Sequence, residues 1–219
     1  MPSKNVVKEY SPQSYYHLYN RGVAKQNIFR DEKDYKTFLS YLKFYLTPIV
    51  VDKSISPSKQ LNNFFADVVL LSYCLMPNHF HFLLYQDKLT SITSFMRSLM
   101  SKYSRYFNTR YKRVGPIFQG KLKAVAVTSE EQFTYLSKYI HRNPLAILPA
   151  RSDLAGLDGY KYSSYQNYLR LFDQSWVKSE EILSLFSKTN RESSYRQFVE
   201  EVDETDILRI KEIHLDFED

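Results

Sequence analysis

Residues 68–86 read VVLLSYCLMPNHFHFLLYQ, two apolar runs joined by a Met-Pro-Asn turn. Runs of this kind, rich in aromatic and β-branched residues and bounded by turn residues, are strands. Proline cannot donate to a ladder, so Pro77 stops the first strand, and residues 67–75 and 79–85 form a hairpin across Pro77-Asn78. Alternate side chains of a strand share a face, so His79 and His81 project together while Phe80 points into the core. Two imidazoles at that spacing suit a single metal ion. The same spacing also suits a half-buried pair that only packs and hydrogen-bonds.

The rest of the chain supplies the partners of this hairpin. Tyr15 to Asn20 alternates as a strand and ends at the Arg21-Gly22 turn. Asp31 to Leu46 has acidic residues in its first turn and an apolar stripe through Tyr35, Phe38, Leu39, Leu42 and Tyr45, a helix that stops before Pro48. Residues 47–63 form a polar loop or insertion. A second helix runs from Ser91 to about Thr109 until Gly115-Pro116, and residues 117–127 read as a strand. Ser129 with Glu131 and Gln132 then opens a third helix that ends before Pro144. Strand, helix, strand, strand, helix, strand is the split βαβ order. The expected class is therefore α+β: a ferredoxin-like or RRM-like antiparallel sheet with helices on one face. A small C-terminal helical extension follows, with helices near 180–186 and 193–202. Residues 1–168 are expected to form the catalytic domain and 169–219 the extension with its acidic tail.

Length and composition narrow the function. At 219 residues the chain suits one domain with a small appendage. A single cysteine, Cys74, excludes an internal disulfide framework. No run approaches a membrane span and the N-terminus lacks a signal-type apolar core, so a cytoplasmic protein with no membrane partner is expected. The formal charge of +6 conceals an uneven distribution. Residues 191–219 hold four Lys/Arg and ten Asp/Glu, whereas residues 1–190 hold 26 Lys/Arg and 14 Asp/Glu. A basic body with 19 Tyr and 15 Phe fits nucleic acid, since cations neutralise phosphates and rings stack on bases. Arg21, Arg97, Lys102, Arg105, Arg110, Lys112, Arg113, Lys121 and Lys123 are the candidate phosphate contacts. The acidic tail, residues 203–219, is a candidate mask for that surface.

A second constellation, Tyr139-Ile140-His141-Arg142-Asn143-Pro144, ends the third helix. Tyr139 and Asn143 are four apart and share a helix face. Facing the histidine pair, Asn143 would add an amide oxygen to the two imidazoles, a set that suits Mg2+ or Mn2+ and does not exclude zinc. A phenol, with a pKa near ~10, attacks a phosphodiester only where a base or cation favours the phenolate. Tyr135, one turn earlier on the same face, is the rival nucleophile.

The segments YHLYNRG (16–22), LMPNHFHFLL (75–84), Phe118-Gln119-Gly120-Lys121 and YIHRNP (139–144) together resemble the REP-associated tyrosine transposases, which belong to the single-tyrosine HUH transposases. The resemblance spans roughly residues 14–168. It implies that His79, His81 and Asn143 hold the metal and that Tyr139 is the nucleophile. It further implies cleavage and rejoining of single-stranded, hairpin-associated DNA through a 5′-phosphotyrosine, with a divalent metal and no nucleotide cofactor, by a monomer or homodimer. His17, Asn20 and Arg21 match the family's first-strand block without an assigned role. Phe118 stands where the family commonly has tryptophan. The alternative is a domesticated relative that binds hairpin or single-stranded DNA without cutting it.

Overall fold

The computed structural model describes residues 10–49, 62–148 and 156–201. The chain runs β1 (Ser14–Arg21), α1 (Glu32–Leu46), β2 (Val68–Met76), β3 (His79–Gln86), α2 (Ser91–Arg110), β4 (Lys123–Val127) and α3 (Glu130–Arg142). The short helices α4 (Tyr165–Tyr168) and α5 (Glu180–Leu183) and the longer α6 (Arg191–Glu200) follow. The sheet order is β2-β3-β1-β4, with every neighbouring pair antiparallel. This is the expected split βαβ sheet and the expected α+β class. Most of the insertion and the whole of segment 203–219 lie outside the described residues.

Local chemistry accounts for the helix starts. Asp31 caps α1, its carboxylate accepting from the Lys33 and Asp34 amides. Ser129 caps α3 by accepting from the Gln132 amide at 3.0 Å, and the Gln132 side chain accepts the Thr128 amide at 2.9 Å in return. The last strand is shorter than expected. It begins at Lys123 because Gly120 adopts φ +61° and residues 117–119 instead bond to the β1 turn, Val23 N–H to Ile117 O and Gln119 N–H to Arg21 O.

The helices do not share one face, which corrects the expected layering. Tyr16, Leu18, Phe80, Phe82 and Leu84 pack with α1 and α2 in one core. Cys74, Met76 and Leu83 pack with Leu136, Tyr139 and Ile140 of α3, with Leu157, Tyr165 and Tyr168, and with Ile182, Leu183 and Tyr195 of the extension, in a second. The cause is written in β2, in which all residues but Val69 are buried: such a strand needs cover on both sides. The second core runs across residue 168 without a break, since Tyr165 and Tyr168 lie beside Tyr195 in it. Residues 162–178 also close the outer edge of β2. Leu75 N–H donates to Tyr162 O, Ser164 N–H to Tyr73 O and Lys178 N–H to Leu70 O, at 2.8–3.0 Å.

Candidate active site

The turn between β2 and β3 is held from below by the segment that follows β1. Gly22 N–H donates to Asn78 O at 2.7 Å, and the Ile28 and Phe29 amides both donate to Pro77 O, at 2.8 and 2.9 Å. Any Cβ at residue 22 would lie 2.1 Å from the Gln26 carbonyl oxygen, so only glycine permits this approach. The two sequence blocks around Gly22 and Pro77 thus form one unit. Strand register then sets Arg21 opposite His79 and Tyr19 opposite His81, all on the face that α3 covers.

Each imidazole is held by a neighbour. His79 Nδ1 lies 2.6 Å from Asn78 Oδ1, whose amide nitrogen donates to Lys25 O at 3.3 Å. A carboxamide oxygen only accepts, so in the neutral ring Nδ1 carries the proton and Nε2 the lone pair. His81 is fully buried, and its Nδ1 lies 3.0 Å from His17 Nε2. The His17 and His81 rings stack with centroids 5.3 Å apart. Burial lowers the His17 pKa to about 3, so His17 is a neutral partner. With Nδ1 of His81 engaged by His17, Nε2 is the ring nitrogen that could meet a cation. Such outer partners fix tautomer and ring orientation in metal-binding histidines.

Helix α3 brings the second constellation to this face. Asn143 Nδ2 donates to Tyr139 O at 3.0 Å, which turns Oδ1 toward His79 Nε2 at 3.5 Å. In the tautomer with the proton on Nδ1, the Nε2 and Oδ1 lone pairs lie close enough for one cation to be shared between them. Among the described residues no group of three or more His, Cys, Asp or Glu is placed to hold a metal. The donor set is instead two imidazoles and one amide oxygen, which by donor type fits a divalent cation. The Tyr139 ring, only 4% exposed, stands edge-on to His81 at 5.4 Å and to His17 at 6.0 Å. Tyr135 packs against Phe198 of α6, 5.4 Å away, under the Lys138 ammonium.

The basic residues do not form one surface. Arg21 lies opposite His79 and is held by Gln119, Nε to Oε1, at 2.9 Å; Lys123 lies opposite Tyr19 on the same face. Lys112 and Lys121 are exposed in the loop between α2 and β4, and the Arg113 guanidinium lies over the Phe107 ring. Arg97, Lys102, Arg105 and Arg110 ride on α2, on the other side of the sheet. There the Lys102 ammonium covers the rings of Tyr41, Phe44 and Tyr45, and Arg110 pairs with both Asp31 and Asp34. Asp34 is fully buried and accepts from the Arg30 amide, Arg110 and the hydroxyls of Tyr106 and Tyr111. Arg110 is thus held in a tie between α1 and α2. Sequence reasoning missed Gln119 and Asn78 as partners; both stand inside recognised blocks, beside residues already singled out.

Residues 59–143 match the model of a transposase family described as IS200-like. The matched stretch covers under half of the chain, and over it the sequence is similar to the IS200-like transposases. That segment contains β3, Tyr139 and Asn143, and it ends where the last helix of the site ends. No curated protein sequence matches the chain. Among solved structures, a REP-associated tyrosine transposase bound to a REP hairpin shares the fold, with a TM-score of 0.52 and 12% identity over 78% of this chain and 95% of that one. The resemblance to these transposases is therefore met at the level of family match and fold. Among the described residues, no helix is long and apolar enough to cross a membrane.

Proposed function

We propose that the protein is a single-strand DNA endonuclease and strand transferase that works through a covalent 5′-phosphotyrosine on Tyr139. The observation that carries this reading is the meeting of two motif blocks on one face: Tyr139 lies against His81, and Asn143 Oδ1 lies beside His79 Nε2. The Tyr139 phenolate oxygen attacks the phosphorus, the bond from phosphorus to the 3′ oxygen breaks, and that oxygen leaves as a 3′-hydroxyl after taking a proton. The strand is then held as a 5′-phosphotyrosine, and a 3′-hydroxyl attacking the same phosphorus regenerates the phenol and rejoins the DNA. No nucleotide cofactor is needed, because the phosphotyrosine conserves the phosphodiester.

Nε2 of His79, Nε2 of His81 and Oδ1 of Asn143 are the atoms that would hold a divalent cation, Mg2+ or Mn2+. When bound, the cation withdraws charge from a phosphate oxygen and favours the phenolate. The chain's own contribution is positioning. Asn78 and His17 hold the two imidazoles in the ligand tautomer, and Asn143 is anchored to the Tyr139 carbonyl. Arg21, Gln119 and Lys123 border the same face and would orient the strand by its phosphates. The solved relative is bound to a REP hairpin, and we extend that partner class to this chain: hairpin-associated single-stranded DNA.

The test is adduct formation. Incubated with Mn2+ and a pool of oligonucleotides bearing a hairpin beside a randomised single-stranded foot, the wild type should form a covalent protein–DNA adduct that resists denaturant. Tyr139→Phe should form none while binding the pool with unchanged affinity, and Tyr135→Phe should retain the adduct. An adduct that persists in Tyr139→Phe refutes the nucleophile. Hairpin binding by a wild type that forms no adduct favours the non-cleaving alternative.

A further inference from the structure

The chemistry above uses no atom of His141, yet this imidazole is fully buried in the last turn of α3, two residues from Asn143. Its Nδ1 lies 2.7 Å from the Tyr195 hydroxyl of α6 and its Nε2 lies 2.8 Å from the Ser164 hydroxyl. The donors and acceptors run in one direction. The Tyr73 amide of β2 donates to Ser164 Oγ at 2.9 Å, and the Ser164 hydroxyl donates to His141 Nε2. His141 Nδ1–H then donates to the Tyr195 oxygen, the Tyr195 hydroxyl to Ser137 Oγ at 3.0 Å, and the Ser137 hydroxyl to Thr134 O at 2.7 Å. Every polar group in this chain of bonds is satisfied, which is the condition for a buried network to specify one arrangement.

The network also divides α3 into two working stripes. Tyr139 and Asn143 form the stripe on the histidine pair, whereas Ser137 and His141, also four apart, form a stripe on the extension. His141 is bonded to the sheet through Ser164 and Tyr73, and to α6 through Tyr195, so it ties the helix to both neighbours. Two further bonds seal α6 to the same helix, Lys138 Nζ to Glu201 O at 2.7 Å and an Arg142 guanidinium nitrogen to Val199 O at 2.6 Å. The separations that matter for the reaction, Tyr139 to His81 and Asn143 to His79, are separations between α3 and the sheet. They are therefore set by how α3 is fixed along and around its own axis.

We propose that His141 and Tyr195 are positioning residues: their buried hydrogen-bond chain to Ser164 and Ser137 sets the register of α3 on the sheet, and so seats Tyr139 and Asn143 opposite His79 and His81. This rests on the reading of Tyr139 as nucleophile. It gives the extension, which lies outside the matched family segment, a part in the chemistry rather than in DNA binding. The extension's Tyr195 acts entirely through α3.

The matched pair of substitutions is Tyr195→Phe and Tyr168→Phe. Both remove one buried hydroxyl from rings that stack on each other at 4.6 Å, but the Tyr168 hydroxyl bonds Leu71 O of β2 and not α3. Three quantities are measured on the full chain: the single-turnover rate of adduct formation with the hairpin oligonucleotide pool at saturation, the affinity for that pool in EDTA, and Mn2+ affinity by calorimetry without DNA. Tyr195→Phe should slow adduct formation roughly 10–100-fold and weaken Mn2+ binding several-fold, with DNA affinity unchanged. Tyr168→Phe should lose comparable thermal stability and match the wild type in all three. A Tyr195→Phe protein within twofold of wild type in rate and Mn2+ affinity, or a Tyr168→Phe protein slowed equally, overturns the positioning role. A wild type that forms no adduct and binds no Mn2+ overturns the underlying reading, a result distinct from both.

Discussion

Replacing His17 with leucine tests whether the sheet holds its imidazoles in a ligand-ready state. In the structure His17 Nε2 lies 3.0 Å from His81 Nδ1, both side chains are buried, and the rings stack at 5.3 Å. His17 is neutral at any pH the protein would meet, since burial lowers its pKa to about 3. In the tautomer with His17 Nε2 as acceptor for His81 Nδ1–H, the His81 Nε2 lone pair is left for a metal. Leucine fills much of the same volume but offers no acceptor, so His81 Nδ1–H would be buried without a partner at a cost of about 1–3 kcal/mol. His81 escapes that cost by moving its proton to Nε2 or turning its ring, and either response removes the lone pair from the site. Loss of such an outer partner lowers metal affinity about 10–100-fold, equivalent to about 1.4–2.8 kcal/mol. Calorimetric titration with Mn2+ at pH 7.5 without DNA measures this directly. His17→Gln, whose carboxamide oxygen can accept the same proton, should recover most of the affinity. A folded His17→Leu protein that binds Mn2+ within twofold of wild type would refute the reasoning.

Two other outcomes follow from the same geometry. His17 and His141 both have pKa values lowered by burial to about 3, below the unfolded value near 6.5, so the unfolded chain binds more protons at acid pH and stability is lost as pH falls from about 6.5 toward 3. At pH 5 the loss should be about 2 kcal/mol for each residue, read from urea unfolding in EDTA at pH 7.5 and 5.0; equal stability at both would contradict neutral burial. Arg21→Ala should weaken single-stranded DNA binding and flatten its salt dependence by a slope of about 0.7 for each phosphate that Arg21 neutralises, while Arg97→Ala, on the far side of the sheet, should change neither. Equal weakening by the two would place the strand on α2 instead.

What the sequence disclosed and what it withheld divide along a physical line. Period-two alternation put His79 and His81 on one face, and caps at Asp31 and Ser129 marked where helices begin, because these are effects of neighbours within a few residues. The layering of α3 is also present in the chain, in the nearly continuous apolar run of β2, which needs cover on both sides, whereas the split βαβ order by itself suggests a one-sided sheet. Pairings across long separations carried no such trace. Arg110 reads as one more cation in a basic run until the fold sets it against Asp31 and Asp34, 79 and 76 residues earlier. His17 reads as an isolated ring until β1 is laid against β3 in a register that places it beside His81. The choice between Tyr135 and Tyr139 is the clearest instance. They share a helix stripe, so periodicity gives them equal standing; what separates them is how far along the sheet the helix lands. The opposite stripe of the helix bonds through His141 to Ser164 and Tyr195, which we propose sets that distance, and no motif around either tyrosine contains those two residues. On the proposed reading, the chemistry of the nucleophile is local in the sequence, while its selection draws on a hydrogen bond to a residue 54 positions away.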